Sequence, residues 1–186
     1  GPNSSATVTI VDNDIGITMA ASTASISEGG TNLVLTVTRS GGLTNTVTVD
    51  YATADASAAA GSDFTSATGT LTFTNGVTSQ TITVAITDDS AIETNETFKV
   101  NLSNPSSGVT LVSPTNTTVT IIENDSLLAF STNAVAVAEN GALTLTVTRT
   151  GGTAGTVTVD YLIVDATATA GTDFTNTTGT LTFTNG

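Results

Sequence analysis

The residues of this 186-residue chain that can do chemistry are its carboxylates. Histidine and cysteine are both absent, which removes the Ser-His and Cys-His nucleophile systems and every imidazole or thiolate zinc site. The acidic residues are placed rather than scattered. Between residues 15 and 125 they are Glu28, Asp50, Asp55, Asp63, Asp88, Asp89, Glu93, Glu96, Glu123 and Asp125, mostly in Gly-, Ser- or Asn-bearing stretches and at the ends of alternating runs. Asp88 and Asp89 close "TITVAIT", Glu93 and Glu96 occupy the turn expected before "TFKVNLS", and Glu123 and Asp125 close "TVTII". Strands that end together at one pole of a sheet structure would crowd these groups. Two unit charges about 4 Å apart repel by roughly 4 kcal/mol at an effective dielectric near 20, and the chain has only 3 Lys and Arg to set against 16 Asp and Glu. A bound cation offsets the repulsion. Oxygen-only ligands on flexible turns suit Ca²⁺ better than a transition metal, or than Mg²⁺ with its strict octahedron. The plainer alternative is a set of solvated turn acids, and it applies most directly to Asp50 and Asp55.

The formal charge of −13 argues against nucleic acid as a partner and against an anionic membrane surface. No run of about 18 apolar residues is present to cross a bilayer. The lack of cysteine leaves the redox compartment open. Thr, Ser, Asn, Gly and Ala dominate while Lys is almost missing, a make-up resembling that of secreted bacterial repeat proteins, so a secreted or bacterial cell-surface location is expected. The opening "GPNSS" reads as a protease-cleavage and cloning scar.

The elements that must position the acids are announced by a repeat. "LTVTRSGGLTNTVTVDYATADASAAAGSDFTSATGTLTFTNG", residues 35–76, aligns without a gap on residues 145–186, so that Arg39 matches Arg149, Asp63 matches Asp173 and Phe73 matches Phe183. "VTIVDND" at 8–14 matches "VTIIEND" at 119–125. The expected organisation is the last strand of a preceding copy at 1–14, a complete copy at 15–125 and the first half of a following copy at 126–186. Within each copy the period is two. Val47, Val49 and Tyr51 share one face, as do Ile82, Val84 and Ile86, or Phe98, Val100 and Leu102, the signature of half-buried strands. About seven such strands separated by turn residues, with no helical stretch, predict an all-β, immunoglobulin-like antiparallel β-sandwich in tandem repeat.

The stretch from "VTVDYATADASAAAGSDF" to "DDSAIETNETFKVNLSNP", with "SISEGG" before it and "VTIIEND" after it, resembles the Calx-beta domain, a module of sodium/calcium exchanger regulatory loops, of integrin β4 and of large bacterial surface proteins. The resemblance implies a Ca²⁺ site built from Glu28, Asp63, Asp88, Asp89, the backbone carbonyl of Ala91, Glu93, Glu96, Glu123, Asn124 and Asp125. Ser90 and Asn124 stand where the family pattern has acids, which implies one to three ions rather than four. The following copy retains only Glu139 and Asp173, and no complete site is expected there. Asp12 and Asp14 belong to the preceding copy's terminal triplet. The function expected is that of a Ca²⁺-binding structural or adhesive module of a large extracellular protein, the ion stiffening the junction between copies; the alternative is a Ca²⁺ sensor that signals to an attached domain. Neighbouring repeats are the expected partners, with self-association through the half copy as a further possibility.

Competing readings are weaker. "DNDIG" at 12–16 begins like an EF-hand loop but has neither the closing glutamate nor flanking helices. A glycoside hydrolase would need carboxylates across an aromatic-lined cleft, and the chain has no Trp and 4% aromatics; no enzyme is expected. A lysine cross-link would need a buried lysine, whereas the alternation of "TFKVNLS" turns Lys99 outward.

Overall fold

The computed structural model describes residues 5, 7–9 and 14–185. Most of the expected strand at 8–14, Asp12 included, lies outside the described residues, as does all of "GPNSS" but Ser5. The chain forms two compact units, residues 1–88 with 96–121 and residues 89–95 with 122–186.

The first unit is the expected β-sandwich. Its strands are β1 (Ile15–Met19), β2 (Thr23–Ser27), β3 (Asn32–Gly41), β4 (Val47–Asp55), β5 (Thr68–Phe73), β6 (Ser79–Ala85), β7 (Glu96–Ser103), β8 (Val109–Leu111) and β9 (Asn116–Ile122). They build a four-stranded sheet in the order β6-β3-β1-β8 and a five-stranded sheet in the order β2-β9-β7-β4-β5. The period-two runs send alternate side chains into the space between the sheets. Val37 from β3, Val49 from β4, Phe73 from β5, Ile82 and Val84 from β6, Phe98 and Val100 from β7, and Val119 from β9 are all fully buried. Each such side chain stabilises the fold by about 1.5–3 kcal/mol through burial. Lys99, between two buried neighbours on β7, is exposed as its parity requires.

Three short strands go beyond the sequence reading. Ile15, Ile17 and Met19 bury β1 in one sheet, after which the chain crosses over and continues as β2 in the other. β1 also pairs in parallel with β8, Ile17 opposite Leu111, so the sandwich is not wholly antiparallel. A parallel pair between segments this far apart leaves no local turn signal to read.

The second unit carries β10 (Ser126–Phe130), β11 (Val147–Gly151), β12 (Val157–Leu162) and β13 (Thr178–Phe183). They form two separate antiparallel ribbons, β10 with β11 and β12 with β13.

Candidate metal centre

In the first unit Asp63 is presented by a turn that its own side chain closes. Gly61 adopts φ +101°, the left-handed region that favours glycine, and its N–H donates to the Phe64 carbonyl at 2.8 Å. One oxygen of the Asp63 carboxylate accepts the Ala59 N–H at 2.7 Å, and the Asp63 carbonyl accepts the Thr87 N–H at 3.0 Å. The adjacent Phe64 is fully buried and stacks on Phe98 with centroids 4.2 Å apart and planes 16° from parallel. Glu96, two residues before Phe98, opens β7. A carboxylate oxygen of Glu96 lies within 4.8 Å of one from Asp63. The ring pair therefore brings the two acids together. Glu28, just past β2, is 6% exposed, and Asp88 is exposed after β6.

In the second unit the 89–95 segment and residues 122–125 are laced through Glu123, which is 4% exposed. Its carboxylate accepts the Glu93 N–H at 2.7 Å on one oxygen and the Asp125 N–H on the other, while its own N–H donates to Asn95 Oδ1 at 3.0 Å. Asp125 brings a carboxylate oxygen within 4.8 Å of one from Glu123. The Asp89 side chain accepts the Ala91 N–H at 2.6 Å, folding the loop on which Ala91 is exposed. An open cleft of about 460 Å³ adjoins this lacing, lined by Glu93, Asn95, Glu123, Gly151 and Gly152 among others.

Two ionised carboxylates within 4.8 Å of each other repel by about 3.5 kcal/mol or more at an effective dielectric near 20, and a buried carboxylate needs compensating donors. Backbone N–H groups supply part of that compensation at Glu123. The two arginines are committed elsewhere: Arg39 donates to the carbonyls of Asn45 at 2.8 Å, Phe73 at 3.2 Å and Gly42, and Arg149 to those of Ala154 and Gly155. A hard cation with flexible coordination suits this all-oxygen donor set. Asp50 is a contrasting case, satisfied within its sheet. Hydrogen bonds from the Thr70 hydroxyl at 2.6 Å and then from Asn104 at 3.1 Å hold its carboxyl below the ordinary value, against a small opposing effect of burial. Asp55, likewise, accepts the Ala60 N–H at 3.0 Å. Elsewhere in the second unit, Glu139 is exposed and Asp173 repeats the turn of Asp63 by accepting the Thr169 N–H at 2.8 Å.

Two participants escaped the sequence reading. Asn95 holds the Glu123 backbone, and the Gly151–Gly152 turn lines the cleft. The signal for the turn was present in "TRSGG" and "TRTGG", which place a glycine pair after the matched arginines.

A family model described as the Calx-beta domain matches residues 11–125 and 126–186. The chain belongs to the Calx-beta family. Sodium/calcium exchanger Calx of Drosophila melanogaster is 37% identical over 152 residues, covering 80% of this chain and 16% of the relative. Sodium/calcium exchanger 1 of Canis lupus familiaris is 37% identical over 177 residues, covering 84% of this chain and 18% of the relative. The chain thus spans under a fifth of these exchangers. The crystal structure of the calcium binding domain CBD12 of CALX1.1 superposes with a TM-score of 0.62 at 32% identity, covering 91% of this chain and 71% of that one. The expected Calx-beta family and sandwich fold are borne out, and the expected ion, calcium, is the one that the CBD12 calcium binding domain is named for. The expected secreted or bacterial-surface location is overturned, because these Calx-beta relatives are animal sodium/calcium exchangers. The composition behind that expectation reflects a Thr-faced β-sheet, since β-branched residues suit a pleated surface in any compartment.

Proposed function

We propose that this Calx-beta segment is a Ca²⁺-binding regulatory module, non-catalytic in itself, in which the ion orders the acidic loops and the junction between successive copies, at 125/126 in this chain. The observation that carries the reading is the pairing of acids within each unit, Asp63 with Glu96 and Glu123 with Asp125, at positions where the family resemblance implies ligands. The proposed ligand set is Glu28, Asp63, Asp88, Asp89, the Ala91 carbonyl, Glu93, Glu96, Glu123, Asn124 and Asp125. Bound among them, Ca²⁺ supplies the positive charge that the chain's few basic residues do not. Glu123 is held ready by two backbone N–H groups, and Asp63 by one, so little ordering remains to be done at those positions on binding. Identity to sodium/calcium exchangers supports regulation of an attached exchanger-like domain over an adhesive role.

Calorimetric titration of Ca²⁺ into chelator-treated protein tests the proposal. A dissociation constant of about 10⁻⁷ to 10⁻⁵ M, the range of sensors, is expected. Absence of heat up to millimolar Ca²⁺, or equal binding by the Glu123→Gln variant, refutes it.

A further inference from the structure

We infer that the Gly151–Gly152 turn is a positioning element of the metal centre, a seat that fixes the backbone of Glu123 and Asp125 and that no side chain other than hydrogen can occupy. The inference rests on the calcium reading above and deepens it.

Gly152 is buried, and its N–H donates to the Asp125 carbonyl at 2.6 Å. A Cβ placed on Gly152 would meet the Glu123 carbonyl oxygen at 2.6 Å, the Glu123 carbonyl carbon at 2.8 Å and the Asn124 carbonyl carbon at 2.9 Å. These are backbone atoms and cannot swing aside as a side chain can. Gly151, at φ +88°, would set a Cβ 2.8 Å from the Asp125 carbonyl oxygen and 2.5 Å from Ile92 Cγ2. One turn thus abuts both the 123–125 backbone and the loop that carries Asp89, Ala91 and Glu93. Arg149, one of the chain's three basic residues, holds the far side of the turn through the Ala154 and Gly155 carbonyls at 2.9 and 3.1 Å.

Part of this arrangement recurs in the first unit, at Gly41 and Gly42. Gly42 N–H donates to the Asp14 carbonyl at 3.3 Å, Gly41 at φ +83° would set a Cβ 1.8 Å from that oxygen, and Arg39 donates to the Gly42 carbonyl. Asp14 and Asp125 are matching residues of the repeat. A β-ladder that merely ran on past Ile15 opposite Gly41 and Ser126 opposite Gly151 would not require glycine at either position. The close approach to backbone carbonyls does require it, and those carbonyls belong to the acidic triplet that ends a copy.

The test compares Gly152→Ala with Gly171→Ala. Gly171, unlike Gly152, has a positive φ, +86°, and a Cβ there meets nothing within 4 Å, so its variant carries backbone strain without the contact, whereas Gly152→Ala carries the contact without that strain. Calorimetry is expected to show Ca²⁺ affinity falling at least tenfold in Gly152→Ala and less than twofold in Gly171→Ala. Amide resonances of β3 to β7 serve as the check that the sandwich stays folded, and those of Asn95, Glu123 and Asp125 are expected to shift in Gly152→Ala alone. Arg149→Met adds no atoms to the seat and is expected to weaken binding about threefold. Wild-type affinity in both Gly152→Ala and Arg149→Met overturns the inference while leaving the calcium reading intact. A wild-type protein that takes up no Ca²⁺ overturns both.

Discussion

The turn around Asp63 and the turn around Asp173 are built from nearly the same residues and make the same local bonds, yet their surroundings differ. In each, the aspartate side chain accepts a backbone N–H four residues earlier, at 2.7 and 2.8 Å. Each has a positive-φ glycine two residues before the acid, and each has an upstream aspartate that accepts the Ala60 or Ala170 N–H. The aromatic that follows is fully buried as Phe64 and only half-buried as Phe174. Phe64 has Phe98 of β7 to stack upon; among the described residues the second unit has no strand beyond its two ribbons. The turn is thus encoded by a dozen residues, whereas the pairing of its acid with another requires the whole sandwich.

The sharpest way to break this comparison is to truncate the two aromatics. Phe64→Ala removes a stacked, fully buried ring and is expected to cost about 3–5 kcal/mol, read as a lowered denaturant midpoint; Phe174→Ala is expected to cost under about 1 kcal/mol. Equal costs would show that the second turn has a core of its own. Next comes the arginine pair. Arg39 is 4% exposed and its loss leaves three carbonyls without a charged donor, so Arg39→Met is expected to destabilise by about 2–3 kcal/mol, against less for the more accessible Arg149.

How far the sequence could be read divides along the same line. The two-residue period places β3 to β7 and β9 because each is a long run with one buried face. It misses β1, β2 and β8 because short strands paired at long range carry too few alternations. The parity that turns Lys99 outward also puts Arg39 on the inward face with Leu35 and Val37, a signal that its charge made easy to overlook. The repeat marks Glu28, Asp63, Glu123 and Asp125, which recur as Glu139, Asp173, Asp12 and Asp14, whereas Asp88, Asp89, Glu93 and Glu96 lie in a stretch without a second copy and are marked by the family resemblance. The glycine pair left a trace in "TRSGG" and "TRTGG", but its close approach to the 123–125 backbone leaves no mark in polarity; Asn95 was not legible, since its side chain bonds the Glu123 N–H, 28 residues away.

The third contrast is between acids. With Ca²⁺ at one hundred times its dissociation constant, wild-type stability should rise by about 2.7 kcal/mol. Asp63→Asn is expected to abolish most of the accompanying rise in melting temperature, and Asp173→Asn to leave it unchanged. Similar losses in both would point to general charge screening. The smallest effect is expected at Asp50. Its carboxyl is held below the ordinary value by Thr70 and Asn104, so the stability it contributes is fully present above the unfolded-state value and is lost as the pH falls through the folded-state value. Acid denaturation monitored by circular dichroism should show a slightly shallower stability loss in that window for Asp50→Asn.

Asp63 and Glu96 each lie within two residues of one partner in the Phe64–Phe98 stack. The aim of two would-be ligands is therefore governed by an oily contact that touches neither oxygen. Conservative exchange of Phe98 for Leu should loosen cation affinity along with the fold, whereas Glu96→Gln should sever the two; a screen that scores folding alone would file the first as a scaffold defect and never notice the second.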